Sequence, residues 1–293
     1  MNGKHSRFLI IATSLAAVLM LALAAGCTTS EATAPGPSLE KQTIKISGST
    51  TVMPIIQKAA DQYMATHANA DIRISGGGSG AGIQAIGTKT VDIGMSSREV
   101  TADEKAKYPS FVITTVAQDG IAVIVNPANG IQHISLDQVR DIYLGTITTW
   151  NEMSGATVPG TSNQIVVIGR DSASGTRSYF DESILEKKTP TKQMLEKNSN
   201  GAVLQTVAQT PGAIGYVSIG FVSNDVKALP IWFNADRIVA PSLATVKDKS
   251  YPVSRDLYVI TNGQPPELTS DFIRFILSPD GQKIVADEGY VTV

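Results

Sequence analysis

Arg170-Asp171-Ser172-Ala173-Ser174-Gly175-Thr176-Arg177 joins a guanidinium to a run of small hydroxyls on a turn that opens a helix. The chemistry open to such a group is oxyanion binding. Gln164 to Ile168 reads as a buried strand, and Tyr179, Phe180, Ile184 and Leu185 recur at helical spacing after it. The turn therefore presents the first N–H groups of a helix, which have no intrahelical carbonyl to bond and sit at the positive end of the helix dipole. Arg170 at the strand end can form a bidentate pair with a tetrahedral oxyanion. Its ordinary alternative is a surface salt bridge, for which Asp171 is the obvious partner, and Arg177 is placed to brace the loop.

Two further turns of the same kind occur. Thr43 to Ile46 is an alternating strand, followed by Ser47-Gly48-Ser49-Thr50-Thr51 and a helix whose apolar face is Val52, Ile55, Ile56, Ala59, Ala60, Tyr63 and Met64. Pro54 falls in the first turn, where a missing N–H costs nothing. Asp71 to Ile74 passes through Ser75-Gly76-Gly77-Gly78-Ser79-Gly80-Ala81-Gly82 into a helix carrying Ile83 and Ile86. Val91 to Met95 reads as a fourth strand, ending in Ser96-Ser97-Arg98. Taken alone, the Gly76 to Gly82 loop would be an ordinary flexible turn; its sibling turns argue for a shared ligand instead. A loose dinucleotide fingerprint at Gly76-x-Gly78-x-x-Ala81 lacks the acidic residue a ribose would need, and Gly82 to Thr90 misses a phosphate-binding P-loop because Thr88 separates Gly87 from Lys89.

The elements that must position these turns alternate between strand and helix, so the fold is expected to be α/β. Val112 to Val125 reads as two strand segments interrupted by Gln118-Asp119-Gly120, the second leaving for another lobe. Ser135-Leu136-Asp137-Gln138 has the form of a capping box opening a helix through Val139, Ile142 and Tyr143. A Val/Tyr/Ile strand near Tyr251 to Ile260 is followed by a helix with Phe272, Ile273, Phe275 and Ile276. Ligands of doubly wound sheets sit at the carboxyl ends of strands. Two lobes with a cleft between them would place Ser49, Thr50, Ser79 and Ser97 on one wall and Arg170, Ser174 and Thr176 on the other.

Residues 1–26 carry Lys4 and Arg7, then an apolar run from Phe8 to Ala25, which reads as a secretory signal. Cys27, the only cysteine of the chain, follows Leu23-Ala24-Ala25-Gly26, a segment that resembles a lipobox with its leucine one place early. Acylation there would make Cys27 the mature N-terminus; an uncleaved membrane anchor is the alternative. In either case the bulk of the chain is expected outside the cytoplasm. Residues 27–42 form a Thr, Ser, Ala, Pro and Gly-rich tether. The remaining stretch of about 250 residues suffices for two lobes with their own cores, and no later segment is apolar enough to span a membrane.

Removing the leader leaves 22 basic against 26 acidic residues, a balance of −4, which argues against a nucleic-acid partner. Overall charge would not draw in an anion either, so binding must come from local donors. His67 and His133, outside the leader, lie in polar segments and read as solvated. That scarcity argues against a Ser-His-Asp hydrolase, and the lack of clustered His and Cys argues against a zinc site. Trp150 and Trp232 read as core or rim packing.

In combination, Gly48-Ser49-Thr50-Thr51 with Pro54, Gly78-Ser79-Gly80 followed by Val91-Asp92-Ile93-Gly94, and Arg170 four residues before Ser174-Gly175-Thr176 closely resemble the PstS family, the periplasmic phosphate-binding proteins of ABC importers. The resemblance covers essentially the whole mature chain. It implies a two-lobed type II binding fold, phosphate as ligand, and delivery to the transmembrane permease of an ABC importer. It further implies that Ser79 is a serine donor, that Arg170 is the deeply placed arginine, and that Ser174, Gly175 and Thr176 supply hydroxyl and N–H donors. Lobe 1 would comprise 43–120 and 250–293, and lobe 2 would comprise 121–249. Some family members carry an aspartate where Ser97 stands, a carboxylate that accepts from protonated phosphate and repels sulfate. Ser97 donates as well as accepts, leaving Asp92, Glu99 or Asp119 as candidate acceptors.

The expectation is therefore a lipid-tethered, monomeric extracytoplasmic receptor that closes over inorganic phosphate through Ser49, Thr50, Thr51, Ser79, Gly80, Ser97, Arg98, Arg170, Ser174, Gly175 and Thr176, with Cys27 as the lipid attachment point. No cofactor, metal or catalysed reaction is expected. The near alternative is a receptor for sulfate, molybdate or tungstate, and a more distant one is a phosphatase-like enzyme using the same cradle.

Overall fold

Ile44 and Ile46 alternate with Thr43 and Lys45 to build β1 (Gln42–Gly48). It is the first of eleven strands in the residues described by this computed structural model, 40–153, 156, 158–159, 161–234 and 236–293. The leader, Cys27 and the tether as far as residue 39 lie outside the described residues. The other strands are β2 (Ala70–Ser75), β3 (Ile93–Ser96), β4 (Phe111–Val125), β5 (Val166–Arg170), β6 (Leu195–Lys197), β7 (Ala213–Ser218), β8 (Lys227–Ala228), β9 (Ile231–Asn234), β10 (Arg237–Val239) and β11 (Ser254–Asn262). The helices are α1 (Met53–Thr66), α2 (Ser79–Gly87), α3 (Ala102–Lys107), α4 (Leu136–Leu144), α5 (Gly175–Ser183), α6 (Asn200–Gln209), α7 (Leu243–Lys247), α8 (Glu267–Leu277) and α9 (Pro279–Asp287).

One sheet runs in the order β2-β1-β3-β11-β4-β7-β5-β6, with β8 also paired to β4. Its flanks are parallel, β1 with β2 and β3 on one side and β5 with β6 and β7 on the other. Antiparallel β11 and β4 join them. The expected break at Gln118-Asp119-Gly120 does not occur: β4 is a single 15-residue strand. A ladder covers its whole length, because β11 pairs with it as far as Gly120 and β7 takes over from Ile121. The polar Asp119 that suggested a turn is instead neutralised inside the sheet.

Each half of the sheet carries its own apolar core. Around β1 to β3, the buried faces of α1 and α8 meet through Ile55, Ile56, Tyr63 and Phe272. Around β5 and β7, Tyr143, Trp150, Phe180, Leu185 and Tyr216 pack together, and the Phe180 and Tyr216 rings stack at 3.9 Å. Each fully buried side chain of this kind contributes roughly 1.5–3 kcal/mol. Trp150 is core, with its indole N–H donating to the Gly212 carbonyl, whereas Trp232 stays partly exposed. The box at Ser135 forms as expected, with Ser135 Oγ taking the Gln138 N–H and Gln138 returning to the Ser135 N–H. His67 departs from expectation: its ring stacks on Tyr63 at 3.8 Å rather than standing in solvent.

Candidate functional site

In sheets of this kind ligands bind beyond the carboxyl ends of parallel strands. Six such ends converge here: β1 feeds Ser49 to Thr51, β2 feeds the Gly76 to Gly78 turn, β3 feeds Ser97, β5 ends at Arg170, β6 leads to Asn200, and β7 ends at Ser218. The result is a buried polar cluster containing Ser49, Thr51, Ser79, Ser97, Asp119, Arg170, Ser174, Thr176, Asn200, Ser218 and Arg255.

The glycine-rich turn and the arginine turn, from opposite flanks of the sheet, are in contact. Gly80 donates its N–H to the Ala173 carbonyl at 3.0 Å. Gly78 has φ +88°, and a Cβ there would lie 2.5 Å from the same carbonyl. A methyl at Gly175 would overlap Ser79 Oγ and stand 2.8 Å from Ser97 Oγ. Between these turns Ser79 Oγ accepts the Ser97 N–H at 3.0 Å and shares a 3.3 Å bond with the Ser97 hydroxyl.

Arg170 is only 1% exposed. Its Nε donates to the Lys197 carbonyl at 3.1 Å, and its Nη2 to the Asn198 carbonyl at 3.2 Å and Thr50 Oγ1 at 3.3 Å. Nη1 is buried without any acceptor. Burial draws this guanidinium below its ordinary pKa, opposed by the charge of Asp171. Asp171 makes no ion pair with it within 4.0 Å, so the surface salt-bridge alternative is not what forms. A buried cationic N–H without a partner is costly, and an oxyanion would supply both the acceptor and the countercharge.

Ser174 and Ser49 are arranged as donors. Ser174, the cap of α5, accepts the Arg177 N–H at 3.2 Å through Oγ, and Ser49 Oγ accepts from the N–H groups of Thr51 and Val52 in the turn before α1 at 3.2 and 3.4 Å. With their lone pairs turned toward backbone N–H groups, both keep an O–H to give away. The N–H groups of Gly175 and Thr176 belong to the first turn of α5, ahead of any intrahelical acceptor. Arg177 braces this turn, donating to the Arg170 carbonyl at 2.9 Å and pairing with Glu196 and Asp181.

Thus Ser49, Thr50, Thr51, Ser79, Ser97, Arg170, Ser174, Gly175 and Thr176 are brought together, and the N–H of Gly80 is spent on Ala173. Arg98 is not brought in. Its guanidinium forms a fork with Glu104, at 2.8 and 2.7 Å, and its Nη1 also donates to the Glu99 carbonyl. The cause is local: Thr101 and Glu104 form a capping box at the start of α3 that presents the carboxylate to Arg98. That fork holds the Glu104 carboxyl below its ordinary pKa.

Of the three candidate acceptors, Asp92 takes the Lys45 N–H at 2.7 Å, and Glu99 is exposed. Asp119 is in the cluster, but both of its oxygens are occupied. Oδ1 accepts from Ser218 Oγ at 2.6 Å, and Oδ2 accepts from Arg255 Nε and Nη2 at 3.1 and 2.7 Å. Burial pushes this carboxyl upward, against the pull of Arg255 and Ser218. Arg255, Asn200 and Ser218 had no motif in the sequence to mark them. Arg255 also borders an open cavity of about 450 Å³ whose other walls include Arg98, Tyr179, Tyr251 and Tyr258.

Comparison with known proteins places this geometry in a lineage. A family model described as a PBP superfamily domain matches residues 31–280. The phosphate-binding protein PstS of Bacillus subtilis is 32% identical over 294 residues, covering 97% of this chain and 94% of that protein. PstS of Borreliella burgdorferi is 29% identical, covering 85% of this chain and 90% of its own length. Among solved structures, one described as a phosphate ABC transporter substrate-binding protein with bound phosphate, from Clostridium perfringens, superposes with a TM-score of 0.79 at 33% identity. It covers 86% of this chain and is itself wholly covered. An ABC-type phosphate transport receptor from Vibrio cholerae gives a TM-score of 0.69 at 29% identity, covering 86% of this chain and 100% of its own.

Proposed function

The chain belongs to the PstS phosphate-binding proteins of the PBP superfamily, and on that premise we propose that it captures inorganic phosphate outside the cytoplasm and hands it to the permease of a phosphate ABC importer. It is a binding protein and not an enzyme: its relatives are named as phosphate-binding and phosphate-transport proteins. The observation that carries this reading is Arg170 Nη1, buried without an acceptor beside hydroxyls and helix-start N–H groups from both flanks of the sheet. Oriented neutral donors around one uncompensated guanidinium replace the hydration shell of a small anion without having to reorganise.

The phosphate ligands in this reading are Ser49, Thr50, Ser79, Ser97, Arg170, Ser174, Gly175 and Thr176, while Thr51 is turned to Ser49, Asn200 and Thr176 instead. The lobes are 43–120 with 250–293, and 121–249. Support comes from β4, whose ladder passes from β11 to β7 between Gly120 and Ile121. Residues 1–26 are a signal, and Cys27 carries the lipid that anchors a monomer to the outer face of the membrane. Among the described residues no helix is long and apolar enough to cross a membrane.

A broader oxyanion receptor is the second reading, favoured by Asp119, the buried carboxylate of the cluster, whose two oxygens are both engaged by Ser218 and Arg255. Titration calorimetry of the mature chain with phosphate and sulfate at several pH values separates the two. Phosphate affinity well above that for sulfate supports phosphate capture. Equal affinities establish the broader receptor, and no binding of either ion refutes both.

A further inference from the structure

The second buried guanidinium of the cluster is Arg255, 6% exposed, and it faces Asp119, 0% exposed, as its partner across the β11–β4 ladder. A buried ion pair is a poor source of stability, since its desolvation cost cancels most of its attraction. Its bonds indicate another use. Beyond Asp119, Arg255 Nη1 donates to the Ser97 carbonyl at 2.9 Å, and Nη2 reaches Thr176 Oγ1 at 3.0 Å and Thr51 Oγ1 at 3.5 Å. Arg255 on the central strand thus contacts both flanks of the sheet.

A hydroxyl offers one proton and two lone pairs. Thr51 Oγ1 accepts from Asn200 Nδ2 at 2.9 Å, an amide whose orientation follows from the Ser218 N–H donating to Asn200 Oδ1 at 3.3 Å. Thr51 and Thr176 share one hydroxyl bond of 3.1 Å. Thr51 already takes the Asn200 amide, and the Arg255 Nη2 hydrogen not given to Asp119 is split between Thr176 at 3.0 Å and Thr51 at 3.5 Å, which favours Thr51 as the donor of that bond. Thr176 Oγ1 then holds Arg255 on one lone pair and Thr51 on the other. Its own proton has no acceptor within the network and is left to donate elsewhere.

We propose that Arg255, fixed by Asp119, is a positioning residue for the bound anion: it fills the acceptor side of Thr176 so that this hydroxyl acts as a donor to the ligand. The pair brings no net charge, so Arg170 remains the cluster's uncompensated cation. This inference rests on the phosphate reading above and adds to it a residue that touches the ligand only through Thr176.

The test is a mutant cycle read by calorimetry with inorganic phosphate, on R255Q/D119N, T176V and the triple variant. The double change removes both charges at once and leaves no unpaired buried ion. Expected are losses in affinity of about 30-fold for R255Q/D119N and for T176V, with the triple variant within about 3-fold of T176V alone, because the pair acts through that hydroxyl. Should R255Q/D119N fail to fold, R255K replaces it in the same cycle, retaining the charge but losing the fork. If the Arg255 variant binds phosphate within about 3-fold of the parent, or if its loss multiplies with that of T176V, the positioning role is overturned while phosphate capture stands. A parent that binds no phosphate overturns both.

Discussion

Replacing Arg170 with alanine removes, among the described residues, the one buried cationic nitrogen that has no protein acceptor. In the parent, Nε and Nη2 are committed to the carbonyls of Lys197 and Asn198 and to Thr50, while Nη1 is unspent. Two charge-assisted bonds from Nη1 to an anion, at about 1.5–3 kcal/mol each, give an expected loss of about 3–6 kcal/mol, or roughly 10²–10⁴ in Kd. The same change strips donors from two carbonyls, so the ligand-free variant should also lose about 1–3 kcal/mol of stability. Calorimetry with phosphate measures the first effect and thermal melting without phosphate measures the second. R170K, which keeps a charge but not the fork, should fall between parent and alanine. Phosphate affinity in R170A equal to that of the parent would refute the assignment of Arg170 as the ligand's countercharge, whatever happens to stability.

Other consequences concern selectivity, closure and pH. S97D would place a carboxylate where this chain has a hydroxyl, and it should raise the phosphate-to-sulfate affinity ratio by about 10-fold or more; an unchanged ratio by calorimetry would remove Ser97 from the selectivity account. G175A should lower the melting temperature even without phosphate and weaken phosphate binding by about 100-fold, because the methyl would overlap Ser79 Oγ where the two turns meet; melting and calorimetry equal to the parent's would show that the turns part without cost. Glu104, held below its ordinary pKa first by its hydrogen bonds from Arg98, stabilises the fold above the unfolded-state carboxyl pKa, and that contribution is lost as pH falls through the lower folded value. Melting temperatures between pH 6 and about 3 should fall less steeply for E104Q than for the parent, with a cost at neutral pH of about 1 kcal/mol or less; parallel curves would show that the fork contributes nothing.

What could be read in advance was what is encoded locally. Glycine-rich turns, capping serines and a proline in the first turn of α1 act within a few residues, so the three strand-to-helix turns and their hydroxyls stand in the sequence as they stand in the fold. The Asp119–Arg255 pair could not be read this way, because strand register joins residues 136 positions apart. Asn200 and Ser218 belong to the same case: each is an ordinary polar residue until the ends of β6 and β7 bring it to Thr51 and Asp119. Gln118-Asp119-Gly120 misled for a related reason, since a polar residue followed by glycine signals a turn only where no partner strand neutralises it. Arg98 is expected in the site because it follows Ser97 at the end of β3, yet its guanidinium goes to Glu104. The Thr101-x-x-Glu104 capping box three residues on was the better guide to where its guanidinium goes.

The most direct measurement is a crystal structure of the mature chain grown with phosphate. The predicted result is a phosphate within hydrogen-bonding distance of Arg170 Nη1, the hydroxyls of Ser79, Ser174 and Thr176, and the N–H groups of Gly175 and Thr176. Phosphate bound away from the strand ends, with Arg170 Nη1 turned to a protein acceptor instead, would contradict the account.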